Sequence, residues 1–374
     1  MKSLLLFCLL IIAQVSSAQK ELSKPINSSI AINEGIDLLG KELFEQAVKK
    51  FELVSKSDTN YTIAQLDVVI SHFYNKNYSK IESIAEKMLR DFTGHRIQFY
   101  KYYIKSLTEL KQWEVGKLVT KRAIKEYPIY HEFKVLEALL YKGAGQKSKA
   151  EELLQNLLKT NSSSSSTHYQ LAILAAERGK TVRAIISLQF AIACDNQMDD
   201  LAEAYDLLKK LCSNNYASKT KNKNSDEDEL LDLYELVESG IALDKKYVPK
   251  LELNYNINAQ SDLVINNLVL KDGTTDFWMQ FYGPFLQKIK TKHLVKGYIL
   301  SFLRVNNQEV INDLVSKHKK EIKGAEELVQ HYLIEKNKAF KYPINGITYA
   351  LPYNYKTNGN LAGIGNLNKN LERD

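Results

Sequence analysis

Cysteine is scarce in this chain. Three in 374 residues are too few for a disulfide scaffold or a structural zinc module. Proline and glycine are also sparse, at 6 and 16, which argues against a sandwich, a barrel or a glycine-looped α/β enzyme. Neither sign of charge dominates: 51 Lys+Arg against 44 Asp+Glu leaves +7, no strong footprint for nucleic acid. Beyond the first residues no stretch approaches the roughly 18 apolar residues of a membrane span. What is present is 44% apolar and 25% charged residues, ample for a buried core and unlike a disordered chain. At about 150 residues per domain the length allows about two domains, and the composition favours helices.

Catalytic signatures are missing as well. There is no phosphate-binding loop, no Gly-x-Ser-x-Gly, no His-Glu-x-x-His and no Cys-x-x-Cys. Gly363-Ile364-Gly365 lies in an Asn/Gly-rich tail without a strand or helix to frame it. Glu327, His331 and Glu335 share one helix face, a spacing that a metal site uses but an exposed polar stripe uses far more often. No metal or cofactor is expected.

The N-terminus reads as an address. Lys2 precedes an apolar run from Leu4 to Ala13, and Gln14-Val15-Ser16-Ser17-Ala18 closes it with small residues. This is the pattern of a secretory signal peptide, residues 1–18, with cleavage expected after Ala18. The mature chain is then expected to be secreted or periplasmic, without an integral membrane segment. Cys8 lies inside the apolar run rather than at its end, which argues against a lipid anchor.

Self-similarity is the strongest signal. Ala47, Ile81, Gly116, Ala150 and Ala184 recur at spacings of 34, 35, 34 and 34, each opening a helical run. A second amphipathic segment lies upstream of each, such as Tyr100, Tyr103, Ile104 and Leu107, or Leu171, Ala172 and Ala175. Gly145 and Gly179 mark turns between paired helices, and small residues such as Ala47, Ala138, Ala150 and Ala184 would let helices approach closely. In the first two units the upstream helix fits better one residue later, as Ile32, Gly35, Ile36, Leu39 and Leu66, Val69, Ile70, Phe73.

These residues resemble the tetratricopeptide repeat (TPR) family over about 28–212: five repeats, then a capping helix from Met198 to Cys212. The resemblance implies a mainly α fold, a right-handed α-solenoid whose first helices line a concave groove that takes a peptide or protein partner. By the family's register that groove is floored by Gln98, Lys101, Lys105 and Thr108, then Glu132, Val135, Leu139 and Lys142, then Ser166, Tyr169, Ile173 and Ala176. The shifted phase adds Asn33, Asp37, Asp67, Ser71 and Tyr74. The candidate partner-binding residues are Lys101 and Lys105 for carboxylates, Val135, Leu139, Tyr169 and Ile173 as apolar anchors, and Gln98 and Lys142 beside them. The family's clamp for chaperone C-termini is not reproduced, because the Asn partners are missing. Cys194 and Cys212 end antiparallel helices some 18 Å apart in level, so they are expected to stay unpaired.

The remainder resembles no family. Residues 213–226 read as a polar linker, 227–357 as a mostly helical domain with a few short strands, and 358–374 as a loose tail. Leu251, Leu253, Tyr255 and Ile257 alternate with polar residues and favour a strand. Trp278 with Phe277, Phe281 and Tyr282 is expected to form core. The expectation is a non-enzymatic exported scaffold. The competing one is an enzyme with its site in 244–357 and the repeats recruiting substrate.

Overall fold

The computed structural model describes residues 27–198, 200–213, 237, 239–270, 273–306, 308–337, 342–344 and 347–349. The expected signal peptide, most of the linker and the tail lie outside them. The fold is mainly α. It divides into two compact units between Leu154 and Gln155.

Unit 1 holds α1 (Ser28–Gly40), α2 (Phe44–Phe51), α3 (Tyr61–Tyr74), α4 (Tyr78–Asp91), α5 (Arg96–Glu109), α6 (Trp113–Glu126), α7 (Glu132–Gly143) and the start of α8 (Lys147–Thr160). From α1 to α7 each helix packs on the next, and α1, α3, α5 and α7 also pack one on another in that order. Ala47, Ile81 and Ala150 are fully buried where the second helices cross. Gly35 lies so close to Phe51 that a Cβ there would sit 2.4 Å from the ring, and Gly116 meets Leu140 in the same way at 2.5 Å. Trp113 covers Gly143, so it bridges the third and fourth pairs.

The repeat is written most clearly in its turns. Glu42, Lys76, Lys111, Gly145 and Gly179 all have positive φ, at 59, 58, 58, 80 and 70°, and follow the same spacings of 34, 35, 34 and 34. At each, the next residue's N–H reaches a carbonyl five residues back: Leu43 to Leu38, Asn77 to His72, Gln112 to Leu107, Gln146 to Tyr141 and Lys180 to Ala175, at 2.8–2.9 Å. The turn residue itself bonds three back, as Glu42 to Leu39 and Lys111 to Thr108. This is the double bond of a Schellman stop, which consumes carbonyls that a helix end leaves unmet. Seven residues before each turn, Gly35, Val69, Ile104, Ala138 and Ala172 are buried.

The shared turns give the first two pairs the register of the others. Of the residues the shifted phase placed outward, Asn33, Asp37 and Tyr74 are exposed and Asp67 is half-buried, but Ser71 is wholly buried; of those it placed inward, Gly35, Leu66 and Val69 are buried, but Ile36 is half exposed.

Unit 2 takes the fifth pair, α9 (Ser165–Glu177) and α10 (Thr181–Cys194), together with α11 (Leu201–Leu211) and the C-terminal helices. Those are α12 (Asn256–Asn267), α13 (Phe277–Phe281), α14 (Gly283–Thr291), α15 (Val295–Leu303), α16 (Glu309–Lys317) and α17 (Lys319–Asn337). The compact units therefore do not follow the polar stretch after Cys212. The reason is α10: from Ala184 to Ile192 every residue is buried, so the helix has no solvent face and must be covered all round. It packs on α9, α11, α15 and α17.

One local reading changes. The alternation from Leu251 is real in burial, with Leu251 and Leu253 inside and Glu252 and Asn254 outside, but among the described residues it pairs with no strand. The Leu251 and Leu253 carbonyls instead accept from the Asn258 amide at 2.8 and 2.7 Å and from the N–H groups two residues on, which holds the segment from the first turn of α12. Tyr342–Ile344 and Ile347–Tyr349 form a short antiparallel ribbon. Cys194 and Cys212 are free, Cys212 fully buried.

Candidate partner-binding surface

In unit 1 the first helices α1, α3, α5 and α7 lie side by side, so equivalent positions form rows across them. Each helix turns its small and aromatic core positions inward: Ala64, Val68 and Val69 on α3, Phe99, Tyr103 and Ile104 on α5, Phe133 and Leu136 on α7. The stripe opposite these core positions is the candidate surface.

On α3 that stripe is Ile63, Asp67, Ile70 and Tyr74, spaced by four, three and four residues and so stacked along one helix face. Ile63 is 37% and Tyr74 59% exposed, with Ile70 partly buried between them. On α1 the position matching Ile70 is Ile36, at 50% exposure. Ile36, Ile63 and Tyr74 are exposed on two neighbouring helices, with Ile70 partly buried between the last two, and together they give this face its apolar character. Asp67 sits half-buried among them, and burial pushes its carboxyl up to about 6. Ser71 donates to the Asp67 main-chain carbonyl, not to its carboxylate.

The third and fourth pairs present charge instead. Lys101 is 2.9 Å from Glu132, with side-chain exposures of 25% and 30%. Tyr130 donates its hydroxyl to the same carboxylate at 2.7 Å. Burial alone would raise the Glu132 pKa, but Lys101, Tyr130 and Lys105 together hold it below the ordinary value. Lys101 therefore reaches a carboxylate of its own chain, and Lys105 adds its field to the same group.

Of the other expected residues, Gln98, Leu139 and Lys142 are half-buried, whereas Val135 is 4% exposed and belongs to the core side. Tyr169 and Ile173 are in unit 2, where Tyr169 is 8% exposed and its phenol is pushed up to about 12 by burial and by Asp200 and Glu203. The sequence reading put Asp67 and Tyr74 on this surface but Ile36 and Ile70 on the core side, because non-glycine turns at Glu42 and Lys76 concealed the helix ends. The period itself, carried back from Gly145, places them.

Unit 2 has a cavity of about 170 Å³ lined by Leu158, Lys159, Phe277, Gln280, Phe281 and Lys336. Lys336 lies over the Phe281 and Tyr332 rings at 5.6 and 5.3 Å, and burial lowers its pKa. The polar groups on this aromatic wall are two lysines and an amide, with no carboxylate or histidine among the six lining residues. Glu327 pairs with Lys323, and Glu335 with Lys288 and His331, so these carboxylates are engaged with cations.

No family model matches the chain, and no curated protein does. Among solved structures it is similar to a MamA RS-1 ArsTM double mutant, at 15% identity over 50% of this chain and 96% of that one, with a TM-score of 0.35. It is likewise similar to MamA 41-end from Desulfovibrio magneticus RS-1, at 15% identity over 47% and 99%, with a TM-score of 0.37. The five recurring turns of this chain, independent of those likenesses, define its repeat.

Proposed function

We propose that the protein is a non-enzymatic scaffold that holds an apolar polypeptide segment of a protein partner on the first-helix face of unit 1. The exposed stripe of Ile63, Ile70 and Tyr74 with Ile36 beside it carries this reading. Such a surface costs free energy in water, about 25 cal/mol per Å² of apolar area, and recovers it when a partner covers it. The repeat supplies the rest: the stacked pairs of unit 1 present a row of helices whose outward side chains vary without disturbing the core. We further propose export, on the strength of the Lys2–Ala18 pattern, so that the partner is an envelope or extracellular protein.

The test is site-specific photo-crosslinking in the native host. A benzoylphenylalanine at Ile63 should crosslink to a polypeptide partner, and one at Leu118, a 67% exposed residue of α6, should not. The Ile63 adduct should disappear in an Ile36→Glu/Ile70→Glu background. Equal adducts from both positions, or an Ile63 adduct that survives those charges, would overturn the assignment.

A further inference from the structure

We propose, building on the reading of the first-helix face as the docking surface, that Asp67 makes this surface selective for a segment with a lysine or arginine between aliphatic residues.

Charge complementarity carries the argument. Nearby carboxylates of unit 1 are matched within the chain: Glu34 by Lys50 at 2.6 Å, Asp37 by Lys41 at 2.6 Å, Glu86 by Arg122 at 2.9 Å and Glu132 by Lys101 at 2.9 Å. Asp67 differs. Among the described residues no basic side chain pairs with its carboxylate and no donor reaches it. It is placed four residues after Ile63, three before Ile70 and seven before Tyr74, in the middle of the exposed stripe.

A carboxylate at the centre of an apolar docking stripe is costly to cover. An all-apolar partner would strip its remaining water and leave a desolvated, unpaired group. A partner bearing a cation opposite it converts that cost into an ion pair whose surroundings are already poor in water. The long aliphatic stems of Lys and Arg can lie along Ile63 or Ile70 while the charged head reaches Asp67. The raised pKa of the carboxyl is consistent with such a site, since burial is its cause and an arriving cation would reverse it. Asp67 thus acts by discrimination: it disfavours purely apolar and acidic segments more than it strengthens any one contact.

The test uses three fluorescein-labelled peptides, acetyl-Gly-Ile-Leu-X-Ile-Leu-Gly-amide with X as lysine, norleucine or glutamate, titrated at pH 7.5 against the protein lacking residues 1–18. The lysine peptide should bind about tenfold more tightly than the norleucine peptide, a 1.4 kcal/mol preference, with the glutamate peptide weakest. Asp67→Asn should tighten norleucine binding and abolish the lysine preference, and Asp67→Lys should favour glutamate. Equal binding of the lysine and norleucine peptides to the native chain, or a lysine preference that survives in Asp67→Asn, overturns the selectivity. Failure of all three peptides to bind, or binding unaffected by Ile36→Glu/Ile70→Glu, overturns the docking surface itself and the selectivity with it.

Discussion

The imidazole of His168 on α9 is bonded at both nitrogens, its Nδ1 lying 2.7 Å from the hydroxyl of Tyr282, 114 residues further along the chain. Its Nε2 lies 2.9 Å from the Ser162 carbonyl. A carbonyl can only accept, so Nε2 carries the proton and Nδ1 accepts from the Tyr282 hydroxyl. The ring is fully buried against Phe190, Phe281 and Tyr282. Together with the Trp278 indole, which donates to Ser187 at 3.0 Å, and Arg183, 2.5 Å from Asp276, this bond fastens the fifth helix pair to the C-terminal helices of unit 2.

That arrangement makes unit 2 acid-labile in a defined window. Burial lowers the His168 pKa to about 4, a shift only partly offset by the Ser162 carbonyl. The unfolded chain takes up a proton near pH 6.5 and the folded one near 4, so stability is complete above about 6.5 and declines as pH falls towards 4. The full loss is on the order of 3 kcal/mol. Urea unfolding followed through Trp278, in a Trp113→Phe background, should show a steeper fall from pH 7 to 4 for the native residue than for His168→Gln. Parallel pH profiles would refute the buried neutral imidazole.

The repeat turns offer a test that changes no contact. Lys76 and Lys111 occupy a left-handed conformation at φ 58°, one that costs an L-residue roughly 1–2 kcal/mol and glycine almost nothing. Lys76→Gly and Lys111→Gly should each stabilise unit 1 by about 0.5–1 kcal/mol, part of the relief being spent on the freer unfolded chain. Gly145→Ala should cost about 1 kcal/mol at the equivalent place. Chemical denaturation of the three variants decides it, and destabilisation by the two lysine replacements would show that those side chains do more than tolerate the turn.

The same turns explain what could be read from the sequence. Spacing located all five pairs because the close crossings at Ala47, Ala150 and Ala184 tolerate only small side chains, which leaves a periodic mark. In the first two pairs Ile36 and Ile70 were read as core because their apolar character gave no sign that they face outward, and the non-glycine turns at Glu42 and Lys76 offered no fixed point against it. The grouping of the fifth pair with the C-terminal helices was present in Thr181–Cys194, a helix without a polar face, although periodicity alone could not say what covers it. The segment at Leu251 had the alternation of a strand because one side faces the core. Its hydrogen bonds go to a side chain, Asn258, and to N–H groups two residues on, which no period reveals. Asp67 stood out only once its partners, or their lack, were visible.

A charged cluster gives unit 1 its own pH signature, opposite in origin to that of His168. Arg96 grips Glu126 through two nitrogens at 2.5 and 2.9 Å and donates to the Phe92 and Leu89 carbonyls at the end of α4, while Tyr100 donates to Glu126 at 2.9 Å. The Arg96 hydrogen bonds hold the Glu126 carboxyl down at about 2, against the opposing effect of burial. Its contribution is present above the unfolded value near 4.5 and is lost as pH falls through about 2. Arg96→Lys keeps the charge but loses the fork and the helix-end carbonyls, and should cost about 1–3 kcal/mol in denaturant unfolding at pH 7. A loss no greater than that of an exposed pair, such as Lys41→Ala beside Asp37, would show the cluster to be ornamental.

Gly297 is the position at which unit 2 tolerates least. A Cβ built on it would lie 2.1 Å from the Glu321 main-chain oxygen and 2.7 Å from the Ile322 nitrogen, so the obstacle is the backbone of α17 and not a side chain that can rotate away. Both partners are helical, and α15 around Gly297 is buried through Tyr298 to Leu303, which leaves no direction in which it can withdraw without opening a cavity. Gly297→Ala normally favours a helix by about 1 kcal/mol. Here the clash should outweigh that gain and destabilise unit 2 by more than about 2 kcal/mol, within the range of overpacked cores. Gly40→Ala, also at a helical glycine but with open space around its Cβ, should show only the propensity gain. Thermal and urea unfolding of the two variants should therefore move in opposite directions, and a neutral Gly297→Ala would mean that α15 and α17 are not in backbone contact.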